Sequence, residues 1–188
     1  MKLYHGSTVV VENPIVSFGR DNLDFGKGFY TTDLQEQAEK WIKRFLALGK
    51  RSFVSVYDFD NTDIGKKCRY RKFPEYNEDW LDFILDCRSG GKKFMDYDII
   101  EGGIANDRVF NTVELYFSHL ISKETALNRL KYEHPNNQIC FVTQEVLDKV
   151  LHLKPLMKFS ERKNDCGQNS FADEICENHR FDRTKSRN

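Results

Sequence analysis

A glycine-bearing turn that runs directly into a strand and a helix constrains this chain more than any other stretch. Residues 23–41 read LDFGKGFYTTDLQEQAEKW, with Gly26 and Gly28 on either side of one lysine. Glycines at this spacing indicate that the backbone passes close either to a ligand or to another strand. Residues 29–32 predict a short strand, which would hold Tyr30 rigidly beside the turn. The alternative is an ordinary strand–helix unit in which Tyr30 is a core or rim aromatic.

The helix after this strand has a recognisable start and end. Asp33 is placed to cap its first turn, and Glu36 is placed to reciprocate. Apolar residues then recur at helical spacing until Gly49, which is a typical signal for a helix C-terminus. The sequence therefore predicts a capped helix over residues 34–48.

Charge is plentiful in this chain but balanced. Its 188 residues include 29 basic and 29 acidic side chains, and the pI is near 7.0. A balanced sum argues against a dedicated nucleic-acid coat, although it allows local basic patches. No apolar run reaches membrane-spanning length, and residues 1–5 do not resemble a secretion signal. We therefore expect a cytoplasmic protein without a membrane partner.

The five cysteines are odd in number and widely spaced, and no two of them form a C-x-x-C pair. In a cytoplasmic protein this pattern predicts reduced thiols and no disulfide framework. Cys166, Cys176 and His179 could be imagined as zinc ligands. However, a fourth ligand is lacking and the spacing matches no common site, so we expect no metal.

The remaining chain predicts one α+β domain followed by a polar tail. Strands are predicted at residues 52–59, 97–101, 138–142 and 151–158, and helices at residues 78–87, 111–119, 122–130 and 144–150. The helix at residues 111–119 is expected to bury Phe117 and, just beyond it, Leu120. Apolar periodicity stops near Lys158, so we place the domain at residues 1–158 and the tail at residues 159–188.

Two segments each admit two interpretations. The run KKCRYRK at residues 66–72 would either grip phosphates or form a solvated loop, and the acids that follow it favour the solvated loop. Residues 97–108 bring a double glycine and several polar side chains to a strand end. This arrangement is typical of a binding site, and equally of a tight turn with a helix cap.

Four segments, taken in order, carry a resemblance to a known family. They are LYHGS at residues 3–7, DFGKGFYTT at 24–32, YDIIEGGIANDR at 97–108 and NQICF at 137–141. In them the chain resembles the ADP-ribosyltransferase superfamily of the His–Tyr type, and more closely a small bacterial branch catalogued as a domain of unknown function. The resemblance covers residues 3–150. It implies an ADP-ribosyltransferase-like α+β fold, in which a split mixed β-sheet with flanking helices clasps NAD.

The resemblance also implies which residues hold NAD. His5 would hydrogen-bond the adenosine-side ribose, Gly6 would hold the nicotinamide amide through its backbone, and Tyr30 would stack on the nicotinamide ring. A planar cationic ring favours an aromatic face, which gives the last assignment a physical basis. Further residues expected to contact NAD are Ser7, Gly28, Thr31 and Gln138.

The third residue of the superfamily signature is usually a glutamate, and the matching position here is Gln138. An amide can hold the 2′-hydroxyl of the nicotinamide ribose, but it has no charge to offset an oxocarbenium ion. This departure concerns the transfer step and not NAD binding. The acids considered as substitutes are Glu101 first, then Asp107 and Asp24. The expected catalytic residues are therefore Tyr30, Gln138 and Glu101.

Two functions are compatible with this resemblance. An NAD-dependent ADP-ribosyltransferase would break the nicotinamide–ribose bond and pass ADP-ribose to a macromolecular acceptor, either protein or nucleic acid. The branch implies a bacterial toxin with a small antitoxin-like partner protein. A non-catalytic module would instead keep NAD binding, or only the fold, for protein interaction. An RNA-repair 2′-phosphotransferase shares the fold, but the sequence does not reveal the basic phosphate pocket that it needs.

Overall fold

Seven strands form one mixed β-sheet in the computed structural model, which describes residues 1–103, 107–131, 133 and 137–154. The strands are β1 (Lys2–Ser7), β2 (Phe29–Thr32), β3 (Phe53–Phe59), β4 (Tyr70–Lys72), β5 (Ile99–Gly103), β6 (Asn137–Phe141) and β7 (Leu151–Leu153). Their order across the sheet is β4-β5-β6-β2-β1-β3-β7. All neighbours are antiparallel except the parallel β4–β5 pair.

Helices cover both sides of this sheet. They are α1 (Gln35–Leu46), α2 (Ile64–Lys67), α3 (Glu78–Arg88), α4 (Asp107–Phe117), α5 (Lys123–Leu130) and α6 (Gln144–Val150). Short 3-10 turns lie at Val16–Phe18 and Lys93–Asp96. Strands and helices are thus mixed along the chain, which confirms the predicted α+β class. Within the described part of the chain, no helix combines the length and the apolar character needed to cross a bilayer.

Side chains alternate between two buried layers because successive strand residues point to opposite sides of a sheet. On one side, Ile100 and Cys140 pack with α3, α4 and α5, and we call this side the α3 face. On the other side, Ile99, Ile139 and Phe141 pack with α2 and α6, and we call this side the α6 face. The central strand β6 is therefore covered on both faces, and residues 138–141 are all buried.

The end of α1 is as predicted, but its start is not. Gly49 adopts a positive φ of 67°, and the amide of Lys50 donates to the carbonyl of Phe45 at 3.0 Å, as in a Schellman motif. At the other end the N-cap residue is Leu34, and no side chain caps the helix. The predicted Asp33 cap is wrong because the Asp33 carboxylate accepts from the Asn137 side chain at 3.4 Å instead.

Three other predictions needed correction. Helix α4 begins at Asp107, before the predicted start at Asn111, and its exposed side carries Phe117 and, beyond its end, Leu120. These two side chains were expected to be buried. The basic run at residues 66–72 is not one loop, because it contains the end of α2 and all of β4.

Caps and thiols elsewhere agree with the sequence. The side chains of Asn77 and Ser122 accept from backbone amides and cap α3 and α5 as predicted. Among the described cysteines, Cys68, Cys87 and Cys140 are free thiols. Met1–Leu156 form one compact unit. The predicted boundary at Lys158, the tail at residues 159–188 and the three zinc candidates lie outside the described residues.

Candidate functional site

The first two strands separate soon after they meet, and His5 lies where they part. β1 pairs with β3 along its whole length, from Lys2↔Asp58 to Ser7↔Phe53. In contrast, β1 and β2 share a single registered pair, Tyr4↔Thr32. Beyond it, the imidazole Nδ1 of His5 lies 2.7 Å from the carbonyl oxygen of Tyr30. The His5 side chain thus joins the two strands where their backbone ladder is missing.

This contact fixes the chemical state of the His5 ring. A carbonyl oxygen can only accept, so Nδ1 carries the proton and donates, and Nε2 is left as an acceptor. Burial lowers the pKa of His5 from its ordinary value of 6.5, and the hydrogen bond to the Tyr30 carbonyl opposes that effect. The imidazole is therefore neutral at pH 7. Its Nε2 makes no hydrogen bond to another described residue.

The side chain of Tyr30, in β2, is hydrogen-bonded to the backbone of the glycine turn that precedes this strand. Its hydroxyl donates to the carbonyl oxygen of Gly26 at 2.6 Å and accepts from the amide of Phe25 at 3.0 Å. Burial raises the pKa of Tyr30 well above its ordinary value. Both bonds hold the hydroxyl within the protein, and the ring of Tyr30 packs against the buried cluster of the α3 face.

The two glycines of the turn approach protein atoms. Gly26 has a φ of +71°, a region that favours glycine, and an added Cβ would lie 2.3 Å from the ring of Phe94. A Cβ on Gly28 would lie 2.4 Å from Cys140 Sγ and 2.6 Å from the Phe141 carbonyl oxygen. Of the two interpretations of this turn, close approach to another strand is confirmed, since β6 is that strand.

Three other residues expected to contact NAD have structural roles. A Cβ on Gly6 would lie 2.8 Å from the carbonyl oxygen of Ala38, because α1 packs directly on this part of β1. The Ser7 hydroxyl donates to the carbonyl of Val9 at 2.5 Å. Thr31 is buried, and its hydroxyl donates across the sheet to Ile139 at 3.2 Å.

Gln138 and Tyr30 lie on the α3 face, and Asp24 contacts Gln138 there. Gln138 is opposite Thr32 in the β2–β6 register and Tyr30 is opposite Cys140, so the two side chains share a face. Gln138 Nε2 donates to Asp24 Oδ2 at 3.4 Å. Because a carboxylate can only accept, the amide nitrogen must face Asp24, and this leaves the Gln138 carbonyl oxygen as an acceptor.

An arginine that the sequence did not indicate holds Asp24 in place. Arg88, at the end of α3, donates to Asp24 Oδ1 from Nη2 at 2.7 Å and from Nε at 3.0 Å. Its Nη1 donates to Glu114 of α4 at 3.1 Å, and its guanidinium lies 5.0 Å from the ring centroid of Phe110. The side chains of Arg88 and Asp24 are only 12% and 17% exposed. Asp24 therefore presents a fixed, partly shielded carboxylate to Gln138.

Glu101, the first-choice acid, is on the opposite side of the sheet. It is opposite Ile139, whereas its neighbour Gly102 is opposite Gln138, so the Glu101 side chain points to the α6 face. There it accepts from the hydroxyl of Tyr70 and forms an ion pair with Lys72 at 2.7 Å. The structure thus brings Asp24, and not Glu101, to Gln138. Asp107 begins α4, and its side chain lies outside the described part.

Two further acceptors lie beside this site. Asp33 Oδ1 and Gln37 Oε1 are buried and have no hydrogen-bond partner among the described residues. Both residues belong to the junction between β2 and α1, next to the Thr32–Gln138 pair. Buried acceptors normally find donors, so these two oxygens are natural partners for the hydroxyls of a ligand or for water.

The basic segment at residues 66–72 is neutralised by acids. Its ion pairs are Lys66–Asp63, Lys67–Asp60, Arg69–Asp98, Arg71–Asp79 and Lys72–Glu101. Some of these residues line a surface depression of about 540 Å³, which lies by α2 and α6 and away from His5. Since its cations are paired, the segment does not supply the phosphate grip that the sequence left open.

Comparison with known proteins places the chain in a family but gives it no named activity. Neither the curated proteins nor the solved structures contain a match to it. Within the described residues, no cluster of three or more histidine, cysteine or acidic side chains could hold a metal ion. Residues 1–153 match one family over the stretch that forms the sheet and its helices, and the chain therefore belongs to the family described as "Protein of unknown function (DUF3990)".

Proposed function

We propose that the protein is an NAD-dependent ADP-ribosyltransferase, which cleaves the nicotinamide–ribose bond and transfers ADP-ribose to a macromolecular acceptor. The observation that carries this proposal is the Gln138–Asp24 pair on the face that holds Tyr30. His5 lies at the gap between β1 and β2, with its ring against Phe29 on the α6 face, and reaches this region through its contact with the Tyr30 carbonyl. These side chains provide a ring face, a hydroxyl acceptor and a carboxylate. Those are the groups that a nicotinamide riboside needs.

Each group has a distinct task in the proposed reaction. The neutral His5 accepts a ribose hydroxyl at Nε2, and the Tyr30 ring, immobilised by its two hydroxyl bonds, stacks on the nicotinamide. The Gln138 carbonyl oxygen accepts the 2′-hydroxyl of the other ribose. Asp24 contributes negative charge near the carbon that becomes cationic.

The bond changes balance without a redox partner. The C1′–N bond of the nicotinamide ribose breaks, and nicotinamide leaves with the electron pair. A lone pair of the acceptor forms the new bond to C1′, and the proton of the acceptor passes to its own base or to solvent. Since the carboxylate of Asp24 is partly offset by Arg88, we expect slow hydrolysis of NAD in the absence of an acceptor.

A charge exchange between positions 24 and 138 tests this site. Gln138→Glu alone would place two carboxylates about 3.4 Å apart. The pair would then share a proton, so this single variant is a poor test. Gln138→Glu with Asp24→Asn preserves the hydrogen bond and moves the charge onto β6. We expect this double variant to release nicotinamide roughly tenfold or more faster than wild type, measured at saturating NAD without acceptor. Gln138→Ala should show no gain.

Binding is measured separately by thermal unfolding. Millimolar NAD should raise the Tm of the wild type, because a ligand that binds only the native state stabilises it, and Tyr30→Ala should lose most of that shift. The shift should also shrink as pH falls through the lowered pKa of His5, below its ordinary value of 6.5, since protonation turns the Nε2 acceptor into a donor. A wild-type curve that NAD leaves unchanged would remove the basis of the proposal.

A non-catalytic NAD-binding or protein-interaction module is the second candidate. The observation that favours it is the uncharged Gln138 beside a carboxylate that Arg88 already pairs. This candidate predicts a Tm shift with NAD, but no nicotinamide release from the wild type or from the double variant with any acceptor. Labelled NAD added to a lysate, with protein and nucleic-acid fractions counted separately, distinguishes the two candidates.

A further inference from the structure

Helix α1 and the turn after it carry a cluster of cations that have no acidic partner in the part of the chain that the structure describes. The sequence from residue 40 to residue 51 contains no acid. All of its cations are exposed, and none forms an ion pair with a described residue. We call this cluster the α1 basic surface, and it consists of Lys40, Lys43, Arg44, Lys50 and Arg51.

The backbone holds these cations close together. Positions 40, 43 and 44 are neighbours on a helix surface, since residues three and four apart lie on the same face. The Schellman motif turns the chain back at Gly49, so the amide of Lys50 lies 3.0 Å from the carbonyl of Phe45. The surface is therefore a defined structural feature and not a set of scattered side chains.

Aromatic and apolar groups lie among the charges. Trp41 is 39% exposed, and the guanidinium carbon of Arg44 lies 4.4 Å from its ring centroid. The ring of Phe45 meets that of Trp41 edge-on at 6.5 Å. Leu46 and Leu48 are 55% and 69% exposed. Cations interleaved with exposed rings are the combination that proteins use to bind phosphates and stack bases.

The helix itself does not account for so much charge. A helix C-terminus carries about half a negative elementary charge, which one or two cations would complement. The nearest acids on α1 do not neutralise the surface either. Glu39 accepts from Gln35 at 2.8 Å, and Glu36 forms no ion pair with a described residue.

The side of α1 that packs on the sheet and its exposed side differ in composition. Ala38 and Ile42 pack on Gly6 of β1, whereas the exposed part of the helix carries the cations together with Trp41 and Leu46. A membrane-surface helix instead presents a free apolar face opposite its cations. The outward charge complements a polyanion, and the exposed tryptophan suits a polyanion with accessible bases.

We propose that the α1 basic surface docks single-stranded nucleic acid. The cations pair with successive phosphates, and bases stack against Trp41 and the apolar residues beside it. Helix α1 packs on β1 at Gly6, next to His5, so the same helix carries the docking surface and borders the candidate site. The docking does not depend on the proposed function. Only the role of the strand as the ADP-ribose acceptor rests on it.

Binding is measured by the fluorescence anisotropy of labelled 12-nucleotide oligo-U and oligo-dT, without NAD. If the five cations contact phosphates, log K should fall with log salt with a slope of about −3.5, or about 100-fold between 50 and 200 mM salt. The variant Lys40→Gln/Lys43→Gln/Arg44→Gln should bind at least tenfold more weakly, with a slope shallower by about two. A second variant, Lys50→Gln/Arg51→Gln, leaves the helix unaltered and should weaken binding several-fold.

The matched control removes the same net charge from exposed cations that have acidic partners. Lys66→Gln/Lys67→Gln/Lys149→Gln should bind within about twofold of the wild type, because these cations are already neutralised. Equal losses in the test and control variants would overturn the proposal, and so would an absence of oligonucleotide binding at 50 mM salt. Tighter binding to vesicles rich in anionic lipid than to either oligonucleotide would also overturn it. Binding without ADP-ribose transfer would leave the docking in place and contradict only the acceptor role.

Discussion

Two basic segments of this protein have the same number of cations and opposite electrostatic surroundings. The segment at residues 66–72 and the α1 basic surface each contain five lysines and arginines. In the first, every cation has a carboxylate within 4.0 Å. In the second, none has a described acidic partner. The number of cations alone would not distinguish the two segments.

The difference shows that the partners of a charge are set by the pairing of strands as well as by the nearby sequence. Arg69 and Lys72 find Asp98 and Glu101 because β4 pairs in parallel with β5. In these pairs the cation holds the fold together. On α1 no described strand supplies acids to the cations. Removing a charge should therefore cost stability in one segment and affinity in the other.

The largest loss of stability is expected from Glu101→Ala. This buried carboxylate accepts from Tyr70 and pairs with Lys72, so its removal leaves a half-buried hydroxyl and a cation without their partner. We expect a loss of about 2–4 kcal/mol in the free energy of unfolding, measured by urea denaturation. Lys66→Ala removes the cation of the exposed Lys66–Asp63 pair in the same segment and should cost less than about 0.5 kcal/mol. Similar losses in both variants would contradict this reasoning.

A second substitution at position 101 distinguishes a structural role of Glu101 from a catalytic one. Glu101→Gln keeps the side-chain volume and should cost about 1–2 kcal/mol. It should leave nicotinamide release at saturating NAD unchanged, because the side chain lies on the α6 face, away from Gln138. A large fall in release from a folded variant would restore Glu101 as a catalytic residue and remove Asp24 from that role.

A smaller, pH-dependent effect is expected at Asp98. The side-chain hydrogen bond from Arg69 holds the pKa of this carboxyl below its ordinary value of 3.8. A depressed pKa contributes stability above the unfolded value, and that stability is lost as pH falls through the folded value. The difference in unfolding free energy between wild type and Asp98→Asn should thus be full at pH 6 and shrink below about pH 4. A difference that does not vary with pH would show that the pair is not electrostatic.

The smallest effect is expected on α1. Lys43→Gln removes an exposed cation that pairs with no described acid, and it inserts a residue of similar helix propensity. The free energy of unfolding should therefore change by less than about 0.5 kcal/mol. Thermal melts of the two variants Lys43→Gln and Glu101→Gln, made side by side, would test the comparison directly. A destabilised Lys43→Gln protein would mean that this lysine supports the fold.

Local patterns in the sequence were sufficient to predict most elements. For α3 and for α5, the N-cap residue and the apolar repeat that predict the helix lie within a few residues of each other in the sequence. Both helices are confirmed. β4 was missed because its three residues become a strand only by pairing with β5. The burial of Phe117 was wrong because α4 turns Val109 and Val113 into the core and leaves Phe117 44% exposed, which its apolar periodicity did not show.

The residues of the candidate site also fall into two groups, those that the sequence predicted and those that only the structure brings together. His5 and Tyr30 were predicted through the resemblance, and the structure joins them by a side-chain-to-backbone hydrogen bond. The Asp24–Arg88 contact spans 64 positions and Asp24–Gln138 spans 114, so no local signal could show that these residues meet. Arg88 ends a helix and was assigned no role. The resemblance proposed the ligand, but only the folded chain shows that Asp24 is the carboxylate that lies beside Gln138.

The position of β6 has a consequence for how the protein is made. This strand lies between β5 and β2, so it alone joins the β4–β5 ribbon to the ribbon of β2, β1 and β3. A ribosome releases the N-terminal strands first, and until Asn137 emerges the nascent chain keeps the β5 and β2 edges that β6 later covers open to other chains. A chain stopped at residue 136 should therefore collect in the insoluble fraction of a lysate, even though it contains most of the protein's helices. Solubility during synthesis then depends on the last long strand to be translated.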